Sequence, residues 1–294
     1  MTRRLPTAVL VLKDGTVIEG MGLGAVGEAV GEVCFNTAIT GYQEILTDPS
    51  YVGQIITFTF PHIGNVGAND EDIETSNLAA ASGVRGAVLR ADITSPSNYR
   101  AALHFDEWLK RRGIVAIAGV DTRALTARIR EEGMVDAAIA HDPTGKFDKD
   151  ALLEKARAFP GLEGLDLAKE VTCGQSYSWD ETRWEWDKGY GRLENAKHHV
   201  VAIDYGMKRN IMRCLASTGV KVTVVPASAS AREPRARIWC ASSAPAFTPF
   251  SGSRPEWAAR PTASTSYQET PFRAVFTDPP GPVASSTKAA SCLR

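Results

Sequence analysis

The chain has no pair of cysteines at the close spacing that metal sites and redox motifs use. Its five cysteines, at 34, 173, 214, 240 and 292, are odd in number and far apart. That excludes a disulfide framework or a zinc site and leaves reduced thiols as the expectation. There is little charge imbalance either: the formal net charge is −1 and no long Lys/Arg block occurs. A nucleic-acid partner is therefore not expected. Long hydrophobic runs are also missing. The opening run Ala8–Leu12 is far short of the roughly 20 residues a membrane-spanning helix needs, and Lys13-Asp14-Gly15 follows it at once, as in a first strand and turn. No membrane is expected, and the reading is a cytoplasmic protein. The acidic run Asp70-Glu71-Asp72-Ile73-Glu74 lacks the glycine and spacing of a calcium loop and reads as a solvated face or helix start. What is present is ordinary for a globular protein of one or two domains: 294 residues, 44% hydrophobic and 23% charged, enough to bury a substantial core.

The first half reads as rich in sheet. Ala8–Leu12 and Thr16–Glu19 flank Lys13-Asp14-Gly15 as a hairpin, and Gly31–Thr37, Gln54–Phe60 and Gly86–Arg90 are further short strands. Asn98–Arg112 is predicted as a helix carrying Ala102, Phe105, Trp108 and Leu109 on one side and stopping at Gly113. Ile114–Val120 follows as a buried strand. Asp121 is predicted to cap a helix with Leu125 and Ile129 four residues apart, and Asp148–Phe159 is a helix ended by Pro160-Gly161. These elements make an α/β first domain over 1–172, with 173–197 as a linker rich in polar residues and tryptophan.

From 198 to 227 a new unit begins: strand Val200–Asp204, a turn at Tyr205-Gly206, a helix from Met207 to Ser217 and strand Val220–Val225. Strand, short helix and strand in that order require a right-handed crossover and a parallel sheet. Asp204-Tyr205-Gly206 lacks the glycine fingerprint of a dinucleotide site, so the pattern alone does not choose a chemistry.

Phe35–Gly67, FNTAITGYQEILTDPSYVGQIITFTFPHIGNVG, carries polar residues at turns where packing does not require them. Residue by residue, Asn36, Thr37, Thr40 and Ser50 read as groups that satisfy turn backbone, and His62 as a structural hydrogen-bonding residue. The whole string says more. Together with IVAIAGVDTRALTARIREEG, KARAFPGLEGLDLAKEVT and VVAIDYGMKRNIMRCL, it closely resembles the small, glutamine-using subunits of carbamoyl phosphate synthetases, from Leu10 to Ala227. The resemblance implies that 198–227 opens a doubly wound, class I glutamine amidotransferase-like domain. It implies a partner, the large subunit that uses ATP and magnesium, and a substrate, L-glutamine. It also implies a role in carbamoyl phosphate synthesis for arginine and pyrimidines, with neither cofactor nor metal in this subunit. Ser50 is the residue it carries over, as a contact to glutamine across the domain interface.

The family's catalytic residues do not carry over. A cysteine nucleophile needs a glycine-flanked elbow, a histidine base, a carboxylate to orient it and backbone donors for the oxyanion. The family supplies them from NGPGDP, GICLGHQ and HPE segments, and none of these occurs here. Cys240 lies in RIWCASS and Cys292 in ASCLR, and His199 is the last histidine in the chain. No catalytic residue is assigned, and this copy is expected to be glutaminase-deficient. From 228 to 294 the resemblance is lost. That tail has a single leucine, Leu293, and prolines at 234, 245, 249, 255, 261, 271, 279, 280 and 282, so it is expected to be disordered or poorly packed. An out-of-frame translation is the expected cause of the break, a genuine variant with a proline-rich tail is the competing one, and the coding DNA read in the other frames tells them apart. A non-catalytic subunit that docks on the large synthetase subunit is the alternative function. A nucleotide-binding α/β protein is a weaker third, disfavoured by the missing phosphate loop.

Overall fold

The computed structural model describes residues 5–75 and 83–230 and the backbone of 237–242. Ala8–Leu12 (β1) and Val17–Gly24 (β2) form the expected antiparallel hairpin, Val11 opposite Val17. Gly27–Asn36 (β3), helix Tyr42–Thr47 (α1), a 3-10 turn at Pro49–Tyr51, Gln54–Phe58 (β4) and Gly86–Val88 (β5) follow. Then come Phe105–Arg111 (α2), Val115–Ala118 (β6), Thr122–Glu132 (α3), Val135–His141 (β7), Lys149–Ala158 (α4) and Ala168–Val171 (α5).

The seven strands close into a barrel in the order β1-β2-β6-β5-β4-β3-β7. β3, β4, β5 and β6 run parallel to one another, while every pairing that involves β7, β1 or β2 is antiparallel. Side-chain alternation explains why β1 is buried on both faces. Ala8, Leu10 and Leu12 join Val33, Ile55, Val88, Ile117 and Ile139 in one core, which Leu125 and Ile129 of α3 also enter. Val9 and Val11 face the other way, packing with Ala138, Ala140 and Leu152 of α4. A further core, with Phe58, Leu89, Phe105, Trp108 and Leu109, binds α1 and α2 to the barrel.

Several expectations about elements change. The helix foreseen from Asn98 begins at Phe105, because His104 accepts the Asp106 N–H as a cap. Asn98 instead closes a turn onto Arg100, and Leu103 is drawn into a bridge with Ala68. Strand β7 was not foreseen: its alanines at 137, 138 and 140 carry little β propensity, and only its place between β1 and β3 makes it a strand. Asp121 caps α3 as expected, accepting from Ala124 at 3.2 Å; Asp148, expected as the first residue of its helix, instead caps α4, accepting from Ala151 at 3.0 Å.

Residues 173–197 do not form a plain linker. They hold Tyr177–Trp179 (β8), Glu181–Glu185 (β9) and Gly189–Arg192 (β10); β9 and β10 form a hairpin, while β8 joins a second sheet. His198–Tyr205 (β11), Arg209–Ser217 (α6) and Val220–Pro226 (β12) form the expected unit, with β11 and β12 parallel. Its helix starts at Arg209, not Met207, because Met207 and Gly206 donate their N–H groups to Asp204. Arg237–Ser242 (β13) pairs parallel with β11, so the sheet order is β13-β11-β12-β8. This strand falls within the stretch expected to lack packed structure; residues 231–236 and 243–294 of that stretch lie outside the described residues. The architecture is thus α/β, with a sheet-rich N-terminal domain. Among the described residues no helix is long and apolar enough to cross a membrane.

Candidate functional site

Asp48, Pro49 and Ser50 lie at the end of α1, where the 3-10 turn begins. The Asp48 carboxylate caps that turn by accepting the Ser50 N–H at 2.9 Å. The turn faces the C-terminal end of β11. In open sheets of parallel strands, ligand crevices form outside that end.

The opposing surface is built by Asp204, which is 3% exposed. One of its carboxylate oxygens accepts from Gly206 and Met207, at 2.9 and 2.8 Å, and the other accepts from the Cys173 N–H at 2.8 Å. These bonds force a sharp turn with Gly206 at φ 88°, a conformation that favours glycine. A Cβ at Gly206 would stand 2.8 Å from Val171 Cγ2 and 3.1 Å from Pro49 Cβ, so Pro49 rests directly on this turn. Lys208, two residues further on, reaches back to Asp48 with Nζ 2.6 Å from Oδ2. Thr172 Oγ1 accepts the Ala227 N–H at 2.8 Å, which fixes the end of β12 to the same seam.

Ser50 therefore sits at the junction of the two units, half-buried beside Pro49. A cavity of about 330 Å³ is lined by Thr47, Asp48, Pro49, Trp108, Arg112 and Val171 among others; Ser50 is not part of its wall. The Arg112 guanidinium lies 4.9 Å from the centre of the Trp108 ring, and its burial lowers its pKa.

The thiols are poorly placed for nucleophilic work. Cys34 is 4% exposed, and burial pushes its thiol up to about 12. Cys173 is also raised to about 12, first by burial and then by the neighbouring Asp204 carboxylate. Both are protonated at neutral pH, whereas a thiolate is the reactive form. Cys214 is partly buried; the side chains of Cys240 and Cys292 lie outside the described residues.

The histidines serve structure. His104 caps α2, His141 Nδ1 is 3.1 Å from the Ala25 carbonyl, and exposed His62 meets the Phe60 ring edge-on. His199 pairs with Thr223 Oγ1 at 2.8 Å. It lies at the start of β11, six residues before Tyr205, or roughly 20 Å from the turn at about 3.3 Å per residue. The acidic run forms no cation cluster among the described residues. Arg100 neutralises Glu71 and Asp72 at 3.0 and 2.7 Å, and Asn69 Nδ2 donates to Asp72.

Sequence reasoning found Ser50 and the Tyr205-Gly206 turn but missed Lys208, Asp204 and Glu74, which hold the two together. Asp204, two residues before the glycine that follows the strand, was a usable signal. Lys208 and Glu74 carry none, since their partners lie far away in the chain.

Residues 10–139 match the family profile described as carbamoyl-phosphate synthase small chain, CPSase domain. Proteins named carbamoyl phosphate synthase small chain are similar over most of this chain. That of Bradyrhizobium diazoefficiens is 66% identical over 228 residues, covering 78% of this chain and 58% of that protein. That of Mesorhizobium japonicum is 68% identical over 228 residues, 78% of this chain and 57% of that protein. That of Rhizobium meliloti is 64% identical over 234 residues, 79% and 58%. The chain thus spans under two thirds of the length of these curated relatives. Among solved structures, an aminopeptidase from Aneurinibacillus sp. strain AM-1 overlaps at a TM-score of 0.27 and 10% identity, over 75% of this chain and 49% of that one, a likeness too slight to bear on function.

Proposed function

Over residues 10–139 the chain belongs to the carbamoyl-phosphate synthase small chain, CPSase domain family, and from that premise we propose that it acts as the small subunit of a glutamine-dependent carbamoyl phosphate synthetase. In this reading residues 198–227 open a class I glutamine amidotransferase-like domain, and Ser50 faces L-glutamine across the seam. The partner is a large subunit that uses ATP and magnesium; this subunit holds neither cofactor nor metal. The observation that carries the reading is the packing of Asp48-Pro49-Ser50 on the Gly206 turn, sealed by the Asp48–Lys208 ion pair. It puts a hydroxyl-bearing turn of the first domain opposite the strand end where such sheets bind ligands.

Glutamine hydrolysis itself is absent from this copy in our reading. The thiols of Cys34 and Cys173 are held protonated, and the chain carries no histidine beyond His199, whose place is at the wrong end of β11. The chain therefore docks without supplying ammonia, which merges the glutaminase-deficient small subunit with the non-catalytic binding subunit as one testable state. Co-expression with a tagged large subunit tests it. Recovery of both chains in a stable complex through size exclusion is the expected result; elution of this chain alone overturns the assignment as a subunit.

A further inference from the structure

Helix α6 begins without a cap of its own. Its N-cap position is Lys208, which makes no side-chain cap bond, so the first helical N–H groups need acceptors from elsewhere. Both come from one residue of the first domain, more than 130 positions earlier. The Glu74 main-chain carbonyl accepts the Arg209 N–H at 2.9 Å, and Glu74 Oε2 accepts the Asn210 N–H at 3.2 Å. Glu74 is in turn fixed from its own side: its N–H donates to Thr47 Oγ1 at 3.0 Å, and Thr47 donates to the Gln43 carbonyl at 3.0 Å.

The contacts close a ring. Thr47 precedes Asp48, Asp48 pairs with Lys208, Lys208 precedes Arg209 and Asn210, and these return through Glu74 to Thr47. An ion pair alone leaves a helix free to pivot about a flexible lysine. Two directed backbone bonds one residue further on remove that freedom, because they fix the helix axis as well as its end. We infer that Glu74 is a positioning residue: it caps α6 of the second unit from the first domain and so sets where Lys208 and the Gly206 turn stand against Asp48-Pro49-Ser50. Its functional meaning rests on the proposed glutamine-facing role of that seam; its structural content does not.

Amide hydrogen exchange on the full chain, without glutamine or large subunit, separates the two. In Glu74→Ala the Asn210 amide should exchange roughly fivefold faster, the scale of a lost helix cap. The Arg209 amide, bonded to the main chain of Glu74, should change less, and the amides of β1 and β7 not at all. Glu74→Gln keeps an oxygen at the same reach and should restore protection at Asn210. Lys208, released from its fixed place, should acylate faster with an amine-reactive reagent in Glu74→Ala and at the native rate in Glu74→Gln. Should the alanine variant fail to fold, Glu74→Asp, whose carboxylate falls short of Asn210 while leaving the main-chain bond, should still speed Asn210 selectively. Native protection at Asn210 in Glu74→Ala or Glu74→Asp overturns the inference, as does a Gln variant no better than Ala.

Discussion

The barrel and the second sheet are built on opposite terms. Each of the seven barrel strands has a partner on both sides, so no edge is left open, and Leu10, Leu12, Ile55, Ile117 and Ile139 inside are fully buried. Among the described residues the second sheet is open and four-stranded, around a smaller core of Ala202, Met207, Met212, Val222 and Val224. It leans on the first domain through the Asp48–Lys208 pair, the Thr172–Ala227 bond and the Glu74 cap. The difference teaches that the seam joins a self-sufficient half to a dependent one. Ser50 stands on the rigid side, and the turn it faces is held in place largely by contacts from that side.

The strongest way to break the comparison is to damage the barrel. Leu10→Ala removes a fully buried side chain from the interior core and should cost about 2–5 kcal/mol. In denaturant titration both units should then unfold together at a lower midpoint; retention of the second sheet after loss of the barrel would show that the sheet does not depend on it. Gly206→Val attacks the seam instead. It places a β-branched side chain at φ 88° and against Val171 and Pro49, a strain of at least about 1–2 kcal/mol. Exchange protection in β11 and β12 should drop while β1 and β7 keep theirs.

A smaller effect sharpens the same contrast. Burial holds the Glu74 carboxyl above the usual carboxylate range, despite the Asn210 bond and the nearby Arg213 and Lys208 cations, with Asp48 adding to the rise. A carboxyl whose folded pKa exceeds its unfolded value contributes stability that is fully present below the unfolded value, near 4.5, and is lost as pH rises through the folded one. Protection of α6 should therefore decline modestly across that window in the native chain, and Glu74→Gln should flatten the decline. An equal decline in the Gln variant assigns it to another group.

Much of this was legible from sequence, for local reasons. Lys13-Asp14-Gly15 announced the first hairpin, Asp121 and Asp148 announced their helices, and the run of β-branched residues in Val200–Asp204 and Val220–Val225 announced a parallel pair, all borne out. Ser50 is singled out by the family resemblance of the Phe35–Gly67 string; read by itself it is a turn-satisfying residue. What escaped was set by distant partners. β7 is a strand only because β1 and β3 flank it, and β8 looked like linker because its pairing with β12 spans more than forty residues. Glu74 read as part of a solvated acidic face because nothing near it in the chain shows a helix end waiting for an acceptor.

The central proposal is that this chain contributes one wall of a glutamine-dependent subunit without the chemistry of hydrolysis. Ammonia release from L-glutamine by the purified chain, alone and mixed with the large subunit, tests it most directly. No release above the rate without protein is the predicted result. Ammonia formation that is abolished by a thiol-alkylating reagent would contradict it.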